Sequence, residues 1–156
     1  MKFCEALIEG RLIKRYKRFL ADVELDNGKL VTAHTPNTGA MHGCNIPGSR
    51  VWLRDTGNPK RKYPLSWELV EALPGVLVGI NTSLPNKLVR EAIEQGHIEE
   101  LNQYSSIRAE VLYGKEKSRI DLLLQDDDAN LCFVEVKNVT MVNGDIALFP
   151  DAVTQR

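Results

Sequence analysis

The chain has 156 residues, 43% hydrophobic and 26% charged, with 20 Lys and Arg against 21 Asp and Glu for a formal net charge of −1. Near-zero charge with ordinary apolar content excludes intrinsic disorder and predicts a soluble globular chain, long enough for one medium domain or two small ones. The longest apolar runs, such as Gly75 to Ile80, fall far short of the roughly 20 residues that cross a bilayer. Glu5 and Glu9 stand where a signal peptide would be apolar. Cys4, Cys44 and Cys132 are odd in number and scattered, which argues against a disulfide framework and for a reducing cytoplasm.

The even balance hides an asymmetry. Residues 1–80 carry 12 Lys and Arg against 8 Asp and Glu, whereas residues 81–156 carry 8 against 13. A basic half joined to an acidic half predicts two modules, residues 1–82 and 83–156, divided near the polar stretch Asn81-Thr-Ser-Leu-Pro-Asn86.

The first half reads as strands. Ala6 to Arg15 is one strand; Phe19 to Leu25 alternates, Asp26-Asn-Gly28 supplies hairpin chemistry, and Leu30 to Thr35 alternates back. Ile46-Pro-Gly48 precedes a strand at Arg50 to Arg54, and Tyr63 to Leu73 and Val76 to Ile80 flank Pro74-Gly75. Five or six short strands predict a small β-barrel, for which the oligonucleotide-binding (OB) type is one candidate among several. The second half is mixed. Asn86 to Gln95 carries a helical stripe of Leu88, Val89, Ala92 and Ile93, with Gly96 as a stop signal. Strands are expected at Ile107 to Tyr113, Arg119 to Leu124 and Leu131 to Val136, with a further helix starting at Asp151.

Two strands of the acidic half carry the sharpest chemistry. Centring the turn Gln125-Asp-Asp-Asp-Ala-Asn130 on Asp128 pairs Ile120, Leu122 and Leu124 with Val136, Val134 and Cys132 as one apolar face. The other face then sets Asp121 opposite Glu135 and Arg119 opposite Lys137, with carboxylate-bearing Cβ atoms about 5 Å apart. Such a pair suits a shared hard cation, Mg²⁺ or Mn²⁺. Asp followed by Glu-x-Lys on the next strand resembles the signature of restriction-endonuclease-like nucleases. There the carboxylates hold the metal and the lysine neutralises charge or positions the nucleophile. The helix glutamate of that pattern falls at Glu91, with Glu110 as a substitute. A surface salt-bridge cluster is the alternative reading of the same residues.

Arg11 to Phe19 packs five cations into nine residues with Tyr16 and Phe19 interleaved, and Asn58-Pro-Lys-Arg-Lys-Tyr63 repeats the theme in a loop. Cations neutralise phosphates and aromatic rings stack on bases, so Lys14, Arg15, Tyr16, Lys17, Arg18, Lys60, Arg61 and Lys62 form a candidate DNA surface. A solvated basic face is the competing account. His34, His42 and Cys44 lack a fourth ligand and a recognised spacing, so they read as turn chemistry rather than a metal site. Cys132 reads as core; Trp52 and Trp67 suit either core or stacking.

Several stretches together resemble the sugar fermentation stimulation protein family: Lys14 to Asp22, Pro36-Asn-Thr-Gly39, Asn58 to Lys62, Gly79-Ile-Asn-Thr82, Ser118-Arg-Ile-Asp121, Glu135-Val-Lys-Asn-Val139 and Phe149 to Val153. The resemblance implies an amino-terminal OB-type barrel followed by a restriction-endonuclease-like mixed α/β domain. It also implies DNA binding with little sequence preference and a link to the regulation of sugar (maltose) catabolism. Family members continue beyond Arg156, so the second domain is expected to be incomplete, with exposed apolar sheet surface that invites homodimerisation. The family often has cysteine after the histidine at position 34; Thr35 stands there here. Two functional classes result: a DNA-binding regulator with a nuclease-like scaffold, and a Mg²⁺-dependent DNA nuclease, for which this shortened chain is expected to be inactive.

Overall fold

The computed structural model describes residues 2–3, 5–143 and 146–148. These group into two compact units, residues 2–82 with 139–148, and residues 83–138. The helix expected from Asp151 lies outside the described residues, as do Cys4 and the stretch Phe149 to Val153.

The first unit contains β1 (Ile8–Tyr16), β2 (Leu20–Leu25), β3 (Leu30–His34), β4 (Arg50–Asp55), β5 (Leu65–Leu73) and β6 (Val76–Gly79). Their order is β3-β2-β1-β4-β5-β6, and a parallel pairing of β3 with β5 closes the first five strands into a barrel. That closure gives the OB topology. Alternation explains the core: Ala21 and Val23 of β2 and Val51 and Leu53 of β4 point inward, and all four are fully buried. Trp67 fills the middle of this core, and its indole N–H donates to the Leu69 carbonyl at 2.8 Å, so the burial leaves no orphaned donor. Gly10 pairs with both Leu25 of β2 and Val51 of β4, where β1 is shared between two neighbours. Asn27 and Gly28 (φ 79°) turn the β2–β3 hairpin, with Gly28 N–H donating to the Leu25 carbonyl.

Phe19, expected inside the second strand, instead lies in the turn before it, and β5 starts at Leu65 rather than Tyr63. Pro64 has no N–H to donate to a ladder, which delays the strand. A short hairpin, β10 (Met141–Asn143) and β11 (Ile146–Leu148), belongs to this unit. The buried Cys44 thiol donates to the Thr140 carbonyl at 3.5 Å.

The second unit holds α1 (Pro85–Glu94), a 3-10 turn (Glu99–Leu101) and an antiparallel sheet β7-β8-β9 (Ser106–Tyr113, Ser118–Gln125, Leu131–Val134). Proline in the first turn of α1 loses nothing, because those N–H groups have no helical partner. At the other end Gly96 adopts φ 70°, and Gly96 and His97 N–H groups return to the Ile93 and Ala92 carbonyls. Ile93 packs with Leu122 and Leu124, ringed by Val89, Ile107, Cys132 and Val134. The β8–β9 pairs Leu122↔Val134 and Leu124↔Cys132 are those the apolar pattern predicts. β9 stops at Val134, two residues earlier than expected, leaving Glu135 and Lys137 beyond the strand.

Candidate functional site

The first basic cluster runs from the end of β1, with Lys14, Arg15 and Tyr16, into the β1–β2 loop, and the second lies in the β4–β5 loop. Lys17, Arg18 and Phe19 form the three-residue β1–β2 turn, closed by the pair Tyr16↔Leu20. Lys17 and Arg18 both adopt left-handed backbone, φ 50° and 64°, which is uncommon for residues with a Cβ. Three hydrogen bonds hold this turn in place. Arg15 donates through Nη2 to the carbonyls of Arg18 and, at 2.8 Å, Asn37. The Thr35 N–H donates to the Phe19 carbonyl at 2.7 Å. Arg15 is therefore half-buried beneath the turn, and its Nε–H is buried with no partner among the described residues. Burial, then the neighbouring Arg18 charge, lowers its pKa.

The loop that receives Arg15 is itself tied down. Asn37 Oδ1 accepts from the Gly39 N–H at 2.8 Å, and the Thr82 hydroxyl and N–H both donate to the Pro36 carbonyl. Next to Thr82, Asn81 donates at 2.8 Å to the buried Glu68 carboxylate, which also accepts from Arg54 Nε at 3.0 Å. A carboxylate this deep requires such partners. Two of the short stretches singled out above, Pro36–Gly39 and Gly79–Thr82, thus meet as one polar scaffold under the basic turn.

The second cluster lies in the β4–β5 loop. Asn58 caps its turn, accepting from Lys60 N–H on Oδ1 at 3.0 Å and from Arg61 N–H on its carbonyl at 3.1 Å, with Lys60, Arg61 and Lys62 exposed. This loop approaches the first cluster. Burial, then the Arg61 charge, lowers the pKa of His34, which pairs with Leu20 on one side and Ser66 on the other. The Tyr16 phenol is raised: a Thr32 hydrogen bond opposes the shift, and burial, Asp22 and Tyr63 outweigh it. Tyr16 donates to Asp22 at 3.0 Å, Lys14 pairs with the same carboxylate at 3.6 Å, and the Lys14 ammonium lies 5.4 Å from the Tyr16 ring centroid. Lys14 and Tyr16 are thus engaged along the barrel wall, although Lys14 stays exposed, as do Lys17, Arg18 and residues 60–62.

In the second unit, Asp121 on β8 is half-buried and accepts on both oxygens, from Asn86 Nδ2 of α1 and from the Val136 main-chain N–H, each at 2.8 Å. The side chain thereby takes a donor that a continued ladder would have used, where β9 has ended. Glu135 and Lys137 are exposed and paired with each other. Glu91 is half-buried on α1, with Gln95 Nε2 3.5 Å from its carboxylate. Glu110 (φ 56°) falls between the pairs Ala109↔Leu122 and Val111↔Ile120, at the β7 position facing Asp121, and lies 3.4 Å from Arg119. No group of three His, Cys, Asp or Glu placed to hold a metal ion occurs among the described residues. Asn86 carries no sequence signal of this role: it reads as an ordinary linker and first-turn residue. Of the two tryptophans, Trp67 is core, and Trp52 lies 5.0 Å beneath the Arg50 guanidinium.

Two family models cover most of the chain: the SfsA N-terminal OB domain matches residues 13–80, and the sugar fermentation stimulation protein RE domain matches residues 83–156. The chain is 60% identical over 156 residues to a sugar fermentation stimulation protein homolog of Geobacter metallireducens, and 63% identical over 150 residues to one of Pelobacter propionicus. It belongs to the sugar fermentation stimulation protein family. These alignments cover 100% and 96% of the chain but only 66% and 64% of the relatives. Among solved structures, that of Pyrococcus furiosus SfsA, in complex with Ca²⁺, superimposes with a TM-score of 0.82 at 25% identity. The match covers 99% of this chain and 63% of that one, and bears out the OB-type barrel followed by a second sheet with one helix. No helix among the described residues is long and apolar enough to cross a membrane.

Proposed function

We propose that this family member is a cytoplasmic DNA-binding protein of low sequence preference that acts in the regulation of sugar catabolism, maltose included. One observation carries the reading: the exposed cations Lys17 and Arg18 fall in the β1–β2 loop, and Lys60, Arg61 and Lys62 in the β4–β5 loop. Those two loops flank the nucleic-acid-binding face of OB barrels. Exposed lysine and arginine ends contact phosphate without reading bases, so affinity falls with salt and varies little with sequence. Replacing Lys17, Arg18 and Arg61 together with Glu should weaken binding to a random-sequence duplex by at least about tenfold. The slope of log affinity against log salt should become shallower by roughly two to three. Fluorescence anisotropy measures both, and unchanged affinity removes the loops from the interface.

The acidic centre supports a second reading, a Mg²⁺- or Mn²⁺-dependent DNA nuclease. Its support is the donor set, Asp121 on β8 and the Glu135–Lys137 pair just past β9, together with a relative whose structure contains Ca²⁺. Each Asp121 oxygen accepts one N–H and retains a lone pair, so the carboxylate still fits a hard cation. Asp121 and Glu135 would hold the ion, which supplies an activated water and neutralises phosphate charge. Asn86 and the Val136 N–H orient Asp121, and Lys137 balances the Glu135 charge.

A further inference from the structure

Resting on the nucleic-acid reading of the barrel, we propose that Phe19 is a stacking platform for an unpaired base, so that the barrel takes single-stranded nucleic acid in preference to duplex. Phe19 is 44% exposed, and it is the one exposed aromatic side chain among the described residues of the first unit. Trp67 is buried in the core, and Phe3, Tyr16, Trp52 and Tyr63 are half-buried. A ring this exposed at a hairpin tip offers a face to a ligand, and the exposed cations Lys17 and Arg18 precede it in the same turn.

The backbone around it is held on both sides. The Arg18 carbonyl accepts from Arg15, the Phe19 carbonyl accepts from Thr35, and Lys17 and Arg18 are kept in left-handed conformations that a relaxed chain would leave. These attachments fix the backbone that carries the ring, so less conformational freedom is lost on contact than from a mobile loop. Ring and cations together match a single strand: the ring meets the π-face of any base, and the cations meet phosphates on either side. In a duplex that π-face is already stacked and closed to the ring. Arg15 is a positioning residue here, spending its donors on the turn.

The test compares a dye-labelled oligothymidylate of about 16 nucleotides, near the upper limit for one barrel, with a duplex of random sequence. Binding of each to the 156-residue chain is followed by anisotropy over a salt series. The wild-type chain should bind the oligothymidylate more tightly. Phe19→Ala should weaken that binding on the order of tenfold, leave its salt slope unchanged and leave the duplex affinity unchanged. Phe19→Trp should restore the affinity and Phe19→Leu should not, since leucine supplies apolar area without a π-face. An unaltered affinity in Phe19→Ala, or full rescue by leucine, overturns the stacking role. Equal losses for oligothymidylate and duplex overturn the single-strand class in favour of a wedge between base pairs. If only the duplex binds, and Phe19→Ala has no effect, this inference fails while the DNA-binding reading stands; if neither ligand binds, both fail.

Discussion

At Gly10 one hydrogen atom decides whether the barrel closes smoothly. A Cβ at this position would lie 2.6 Å from the Glu24 carbonyl oxygen and 2.7 Å from Val23 Cγ1, closer than side-chain atoms approach backbone. Both obstacles belong to the adjoining strand β2, and Val23 is fully buried, so neither has room to retreat. Gly10→Ala should therefore cost about 1–3 kcal/mol of stability. Urea unfolding followed by circular dichroism reads this as a lower midpoint at unchanged slope. By contrast, the same test at Gly28, where nothing lies near the missing Cβ, reports only the loss of its positive φ. These two glycines do different work.

Among the elements, the β8–β9 pair joins fold and chemistry. Its ladder runs from Gln125↔Leu131 to Leu122↔Val134 and is replaced beyond that point by the Asp121 carboxylate accepting from Val136. Asp121→Ala should have two separable effects. It leaves the half-buried Asn86 amide and Val136 N–H without their acceptor, at about 1 kcal/mol, and it removes an oxygen ligand. Calorimetric titration with Ca²⁺ or Mn²⁺ should then show no specific binding, whereas Asn86→Ala should retain it at reduced affinity. Retained cation binding in Asp121→Ala would place the ion elsewhere. The register was legible in the sequence because a turn centred on Asp128 puts Leu122, Leu124, Cys132 and Val134 on one face, and a one-residue slip would turn one strand's apolar set outward. The end of the strand was not, since it depends on a side chain competing for a main-chain donor. Likewise Asn27-Gly28 announced its hairpin, whereas the Lys17–Phe19 turn contains neither Gly nor Asn, and its last residue, Phe19, reads as the start of the next strand. Its conformation comes from Arg15 and Thr35, contacts made only after folding. The paired basic clusters were visible as composition, and their convergence required the barrel's topology.

For the molecule as a whole, the uneven charge along the chain maps onto its two units: exposed cations at the barrel loops, and Asp126, Asp127, Asp128 and Glu135 in the second unit. A polyanion is thus drawn to the barrel and repelled by much of the acidic unit, which helps set how it approaches. The barrel's closing seam has a separate implication, for time rather than affinity. β1, β2 and β3 pair as consecutive hairpins, but β3 meets β5 through a single pair, His34↔Ser66, across about 30 residues of chain, a loop-closure entropy of about 3 kcal/mol. Local hairpins zip early, and a contact so costly and so small is joined last. Weakening it should leave the folding rate nearly unchanged and speed unfolding. In stopped-flow measurements Ser66→Gly, which loosens the main chain of the pairing residue, should shift only the unfolding limb of the chevron, because the seam is where the barrel first comes apart.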